Sequence, residues 1–236
     1  MMTSETLQGT GLQGTGLDSV IGMYAVVHRL RSTVVTPLVA AGLGDPLVRA
    51  PKRVLVYGPP QCGVRFIADC LAAELEEMPG VSVAVLPCLD DDPFTTSVNE
   101  AVAMAAGTHT VVVATSHQPW TLDGELLDGF DRTCFVHPPD WEARRFRLWE
   151  SHLGRLVDTD ALDNFVTVTE GWCGTDLSAG FESVDTSDLD ASVATAHQTG
   201  APVTAQWLDD AVQLIRERSG AGFDDLKSYL QRVRRW

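Results

Sequence analysis

Two glycines five residues apart bracket the turn Gly58-Pro59-Pro60-Gln61-Cys62-Gly63. An apolar run, Val54 to Tyr57, precedes it, and Phe66, Ile67, Cys70, Leu71 and Leu75 follow at helical spacing. Strand, glycine turn and helix form the frame of a phosphate-binding loop, where backbone N–H groups and a helix N-terminus face the anion. The same frame serves any strand–turn–helix connection in an α/β domain. The glycine spacing of a phosphate loop is kept here, but its side chains are not. Val64 stands where a lysine would reach the phosphates, and Arg65 stands where a Ser/Thr hydroxyl would hold Mg²⁺. Arg65 offers a charge to phosphate from one position late. Its alternative role is a solvated residue of the first helical turn.

Other residues of the right type lie further along. Ser116 ends an apolar strand, where a hydroxyl can bond water or a γ-phosphate or simply cap the turn before Pro119. His117 beside it has no partner legible in sequence and reads as a loop residue. Asp90-Asp-Asp92 could stand in for a metal-binding acid pair. Pro87 and Cys88 break the apolar run ahead of it, and the run reads as a solvated acidic turn. Arg132 could reach a nucleotide on a neighbouring subunit, or pair with Asp128 or Asp131. No Cys/His cluster has metal-ligand spacing, so no metal site is expected.

These residues need strands and helices to hold them. Val54–Tyr57, Val81–Val85, Thr110–Thr115 and Thr133–Val136 read as strands. Helical periodicity covers Met23–Pro37, with Val26, Val27, Leu30 and Val34 on one face, then the stretch after Gly63, and Pro93–Ala106. Strands alternating with helices predict an α/β fold, a parallel sheet with helices on both faces. After His137-Pro-Pro-Asp140 the pattern turns helical, with Trp141–Leu153, Thr159–Val166, Asp176–Val184, Thr204–Arg218 and Phe223–Val233. The expected division is a flexible tail over 1–16, an α/β core over 17–139 and a small all-helical lid over 140–236. The tail carries Leu-Gln-Gly-Thr-Gly twice, too few copies for a repeat fold.

Composition narrows the classes. The chain has 236 residues and a net charge of -15, which argues against general nucleic-acid binding. Lys and Arg are absent between Arg65 and Arg132, so a site built there is poor in cations for a triphosphate. No apolar run approaches the roughly 20 residues of a membrane span, and no signal peptide is legible. A cytoplasmic location is the default expectation. The five cysteines show no CxxC pair and sit mostly among apolar residues or glycines. They read as small buried hydrophobes in a reducing compartment. The six tryptophans read mostly as core, with terminal Trp236 as an exception.

Taken together, residues 17 to 233 resemble the AAA family of ring-forming P-loop ATPases. Gly16-Leu-Asp-Ser-Val-Ile21-Gly22 resembles the segment that lies against adenine. Tyr57-Gly-Pro-Pro resembles the start of the family's P-loop, and Ala114-Thr115-Ser116 its sensor-1 strand end. Gly129-Phe-Asp-Arg132, followed by Val136-His-Pro-Pro-Asp-Trp-Glu-Ala-Arg144, resembles the arginine-finger segment and the entry to the lid. Thr169-Glu-Gly-Trp-Cys-Gly174-Thr175-Asp-Leu177 resembles the lid helix start that packs on adenine. The resemblance implies a nucleotide held by Ile21, Gly22, the loop from Gly58 to Arg65, and Gly174 with Thr175. It implies Ser116 as sensor and Arg132 as finger.

The departures bear on function. Gln61, Val64 and Arg65 replace the family's Gly, Lys and Ser/Thr. The further βα unit whose strand ends in Asp-Glu has no room between Val85 and Thr110, since such a unit takes about 30 residues. The expectation is a degenerate, non-hydrolysing module that binds ATP or ADP weakly, without Mg²⁺. It would act in a homo-oligomer or beside an active AAA protein, with no nucleic acid or membrane partner. The alternatives are a working ATPase with altered residues and an interaction module that needs no nucleotide.

Overall fold

The computed structural model describes residues 16–91, 110–150, 159–174, 176–177 and 226–234. Four strands, β1 (Arg53–Tyr57), β2 (Ser82–Leu86), β3 (Thr110–Ser116) and β4 (Arg132–Phe135), form one parallel sheet in the order β2-β3-β1-β4. The inner strands β1 and β3 are almost wholly apolar, as a sheet covered on both faces requires. Their pleat sorts the side chains. Val54, Val56, Val111 and Val113 join one core, and Leu55 and Ala114 join another with Leu89 and Leu126.

The first core is closed by helices. In α3 (Val64–Glu76), Ile67, Ala68, Leu71 and Leu75 form the buried stripe. Ahead of the sheet, α1 (Tyr24–Leu30), a π turn (Arg31–Val35) and α2 (Thr36–Gly42) follow without a break. Val26, Leu30 and Val34 are buried on the expected face. The helix runs past Pro37, where the sequence ends it. The π turn is the reason, because Thr36 N–H donates to Arg31 O and Pro37 falls in the first turn of α2. A missing N–H is harmless there.

After β3, α4 (Gly124–Asp128) is capped by Asp123, which accepts from Glu125 N–H at 2.8 Å. Beyond β4 the chain enters α5 (Trp141–Glu150), which packs on α6 (Thr159–Val168). Asp140 caps α5 by accepting from Ala143 N–H at 2.9 Å, and it also accepts from Met23 N–H. One carboxylate thus ties the N-terminal segment to the start of α5. A last helix, α7, covers residues 226–233. No helix among the described residues is long and apolar enough to cross a membrane.

Two tryptophans expected in the core are not there. Trp141 is 39% exposed and Trp149 57%, both on the outer side of α5, whereas Trp172 is buried. Arg145 lies over the Trp141 ring at 5.5 Å, which lets that ring stay at the surface. The tail to residue 15, the helices expected over Pro93–Ala106 and Thr204–Arg218, Trp207 and Trp236 lie outside the described residues.

Candidate functional site

Strand order creates the crevice. From β1 the chain crosses by way of α3 to β2 on one side, and from β3 it crosses to β4 on the other. The carboxyl ends of β1 and β3 therefore diverge at a topological switch point, the usual place for a ligand in an open parallel sheet. Tyr57 is paired with Ser116 there, and Gly58 N–H donates to Ser116 O at 3.2 Å.

The glycine turn starts from that point. Gly58 presses against the exit of β4, where a Cβ would collide with Val136 O and lie 3.1 Å from Val64 Cγ2. Only glycine fits. Gln61 and Gly63 both take left-handed backbone, at φ 65° and 84°. Gly63 does so freely. Gln61 does so against a steric cost, at the position where the family has glycine. Gly63 O accepts from Ile67 N–H at 2.9 Å and opens α3.

The side chains after the turn leave the crevice. Val64 is 2% exposed and belongs to the core between α3 and the sheet. Arg65 turns along α3 to Asp69, with Nε 2.8 Å from both carboxylate oxygens, and half of its side chain is in solvent. Of its two readings, the solvated ion pair is the one observed.

The acidic segment corrects the sequence reading. Asp90 is not a solvated turn residue. Ser116 Oγ donates to its carboxylate at 2.7 Å, Gln118 N–H at 3.2 Å, and His117 N–H as well. Thr115 Oγ1 accepts from Cys88 N–H at 2.7 Å and fastens the same segment one residue earlier. β2 pairs directly with β3, so the residues leaving β2 arrive at the end of β3 and place Asp90 over Ser116. His117 also has a partner: its Nδ1 lies 3.1 Å from Gly58 O, which makes Nδ1 the protonated nitrogen. Asp90 and His117 thus sit at the candidate site, a place that sequence reasoning undervalued. The legible signal was an acid placed just beyond the end of an apolar strand.

A tyrosine closes this end. Tyr229 of α7 stacks edge-on against Trp120 at 5.0 Å and is buried, and its hydroxyl has no hydrogen-bond partner among the described residues. Burial, with Asp90 and Tyr57 adding to it, pushes its phenol well above the usual tyrosine range.

The segment after α6 meets the turn directly. Gly174 N–H donates to Gln61 O at 3.0 Å, and Cys62 is joined to Cys173 by a disulfide. This corrects the reading of the cysteines as an unpaired set. The two are 111 residues apart, and only the fold brings their Cα atoms to 4.9 Å. Asp176 accepts from Cys173 N–H at 3.1 Å and fixes the start of that helical turn. Thr175 lies outside the described residues.

Two further expected site regions make contacts of their own. Gly22, at φ 67°, is packed against the start of α5, where a Cβ would come within 2.6 Å of Ala143 N, and Ile21 beside it is half-buried. Arg132 opens β4, at the opposite end of the sheet from Tyr57 and Ser116. Its Nη1 donates to Asp131 O at 2.6 Å in an exposed position. The Asp131 carboxylate instead accepts from Lys52 N–H at 2.8 Å and Arg53 N–H at 3.0 Å.

Comparison with known proteins agrees with this architecture. The FIGL-1 AAA domain solved with ADP superposes with a TM-score of 0.68 at 17% identity, covering 94% of this chain and 92% of that one. A katanin structure, solved in a study of katanin self-assembly, gives 0.59 at 22% identity and 84% coverage of each chain. Spastin of Drosophila grimshawi is 36% identical over 76 residues, which are 31% of this chain and 10% of that protein. Cell division protein C of Sulfolobus acidocaldarius is 23% identical across 68% of this chain and 56% of its own length. The chain thus spans about a tenth of spastin and about half of cell division protein C. No protein-family model matches. The chain has the P-loop AAA fold and is AAA-ATPase-like in its architecture.

Proposed function

We propose that this chain is a non-hydrolysing AAA-type module that binds adenine nucleotides weakly and acts by assembling with other AAA subunits. One observation carries the reading: the groups that would handle phosphate, metal and water are replaced or already engaged. The lysine position is Val64, buried in the core. The hydroxyl position is Arg65, paired with Asp69. Asp90, the acid at the end of the switch point, is taken by Ser116, His117 and Gln118. These residues do not fit a loop-bound Mg²⁺, which needs oxygen ligands free to face it. The FIGL-1 domain binds ADP in its crystal, and katanin self-assembles; both properties are proposed here in weakened or altered form.

A second reading, a working ATPase with rearranged residues, has one point in its favour. Asp90 stands 2.7 Å from Ser116 Oγ, where an acid beside a sensor hydroxyl could orient water if it were released. A steady-state assay with Mg²⁺-ATP separates the two. The proposal expects no turnover above background. Turnover on the order of 1 per second, abolished by EDTA, establishes the ATPase instead.

A further inference from the structure

Cys62 lies in the glycine turn and Cys173 at the start of the lid's helical turn, so their disulfide spans the join between loop and lid. A second contact lies beside it. Gly174 N–H donates to Gln61 O at 3.0 Å, and a Cβ on Gly174 would come within 3.3 Å of the same oxygen. The two backbones therefore touch beside the disulfide. Of the three cysteines outside that bond among the described residues, Cys88 is half-exposed and two are poor competitors for exchange. Cys70 and Cys134 are buried, and burial raises both thiols to about 11.

We propose that Cys62 and Cys173 form a reversible redox clamp, which holds the lid against the glycine turn when oxidised and releases it when reduced. The clamp goes beyond the nucleotide reading and holds whether or not the crevice takes a nucleotide. Closure needs a disulfide oxidant of the glutathione type. One protein thiolate attacks a sulfur of the oxidant, a thiol leaves, and a mixed disulfide remains. The second protein thiolate then displaces the other thiol and the Sγ–Sγ bond forms. Two electrons pass to the oxidant, which ends as two thiols, and the protons lost by the cysteines are taken up by them. A dithiol opens the clamp by the reverse exchange and ends as a cyclic disulfide. Both cysteines are buried, 3% and 7% exposed, so a local fluctuation that exposes one sulfur with the bond intact precedes attack by the dithiol.

Amide hydrogen exchange tests this on the full chain. The samples are the protein treated with oxidised glutathione, the protein reduced with a phosphine, and the variants Cys62→Ser and Cys173→Ser. The clamp expects a linked Cys62–Cys173 peptide in non-reducing maps of the oxidised sample. It expects the Gly174 amide to exchange about tenfold or more slowly there than in the other three samples, with β1 and β3 amides equally protected in all. Absence of the linked peptide, or equal Gly174 exchange in oxidised and reduced protein, overturns it. Loss of β1 and β3 protection on reduction also overturns it, because the bond is then a staple of the whole fold. ADP titration of the same samples reads the proposed function separately. Binding about tenfold weaker in the oxidised sample alone supports both ideas. Equal binding in all four supports the nucleotide reading and bears on it alone, and binding in none contradicts that reading only.

Discussion

Asp90 accepts hydrogen bonds from a side chain and two successive backbone amides of the segment that leaves β3. Hydrogen bonds to a charged group contribute about 1.5–3 kcal/mol each, and a donor left without a partner costs a similar amount. Partial exposure of the site reduces the sum. Asp90→Ala is therefore expected to destabilise the chain by about 2–3 kcal/mol, a fall in melting temperature of about 5–10 °C for a domain of this size. Circular dichroism during heating measures it. A shift under about 1 °C would mean that the carboxylate is solvated after all, as its place in an acidic run suggested. That run shows what sequence could not reveal here. Asp90 and its two acidic neighbours look alike in the chain, and only the pairing of β2 with β3 singles out Asp90.

At the scale of elements, α5 and α6 are joined by a buried cation. Arg144 is 6% exposed, and burial pulls its guanidinium below the usual arginine range. Its Nη1 donates to Pro139 O at 2.7 Å, and Nε and Nη2 donate to Val166 O at 3.4 and 3.3 Å. Val166 lies in the last turn of α6, where the helix dipole favours a positive charge. Two effects compete in Arg144→Met. The variant removes a desolvated charge, but it leaves Pro139 O without this donor, while Val166 O loses two long bonds and keeps the one from Thr169 Oγ1 at 3.1 Å. An unmet buried acceptor costs about 1–3 kcal/mol. We expect the loss to win by about 2 kcal/mol, lowering the melting temperature by about 4–8 °C, with Arg144→Lys in between. A methionine variant as stable as the parent would show that the fork is not what joins the two helices. These helices themselves were legible, since Trp141–Glu150 and Thr159–Val168 both begin where periodicity places them. The inner strands were legible for the same reason, as apolar runs with glycine or proline beyond them. The Cys62–Cys173 bond and the joining role of Arg144 were not, because each depends on residues that meet only after folding.

For the whole molecule, the proposed role requires contact with other subunits. Leu43 is 83% exposed, Leu47 92% and Trp149 57%, which leaves sizeable apolar groups at the surface. The net charge of -15 opposes association of identical copies through long-range repulsion, which salt screens within about 8 Å at physiological ionic strength. Sedimentation velocity should therefore show association that rises with concentration and with salt, or a complex with an AAA-type partner. A monomer at every concentration, with no such partner retained in pull-downs, would contradict the assembly role.

The central claim is that the glycine turn no longer reads phosphate, and calorimetry of adenosine, ADP and ATP on the reduced protein tests it most directly. A charge-assisted hydrogen bond to phosphate contributes about 1.5–3 kcal/mol, so each one missing weakens binding by about one to two decades. Recognition of adenine by apolar and backbone groups does not depend on Val64. Binding should therefore be weak, with similar affinities for all three ligands. Val64→Lys should gain little, since Arg65 remains paired with Asp69 and Asp90 remains engaged. Micromolar binding of ATP, preferred over adenosine by about a hundredfold, would contradict the claim.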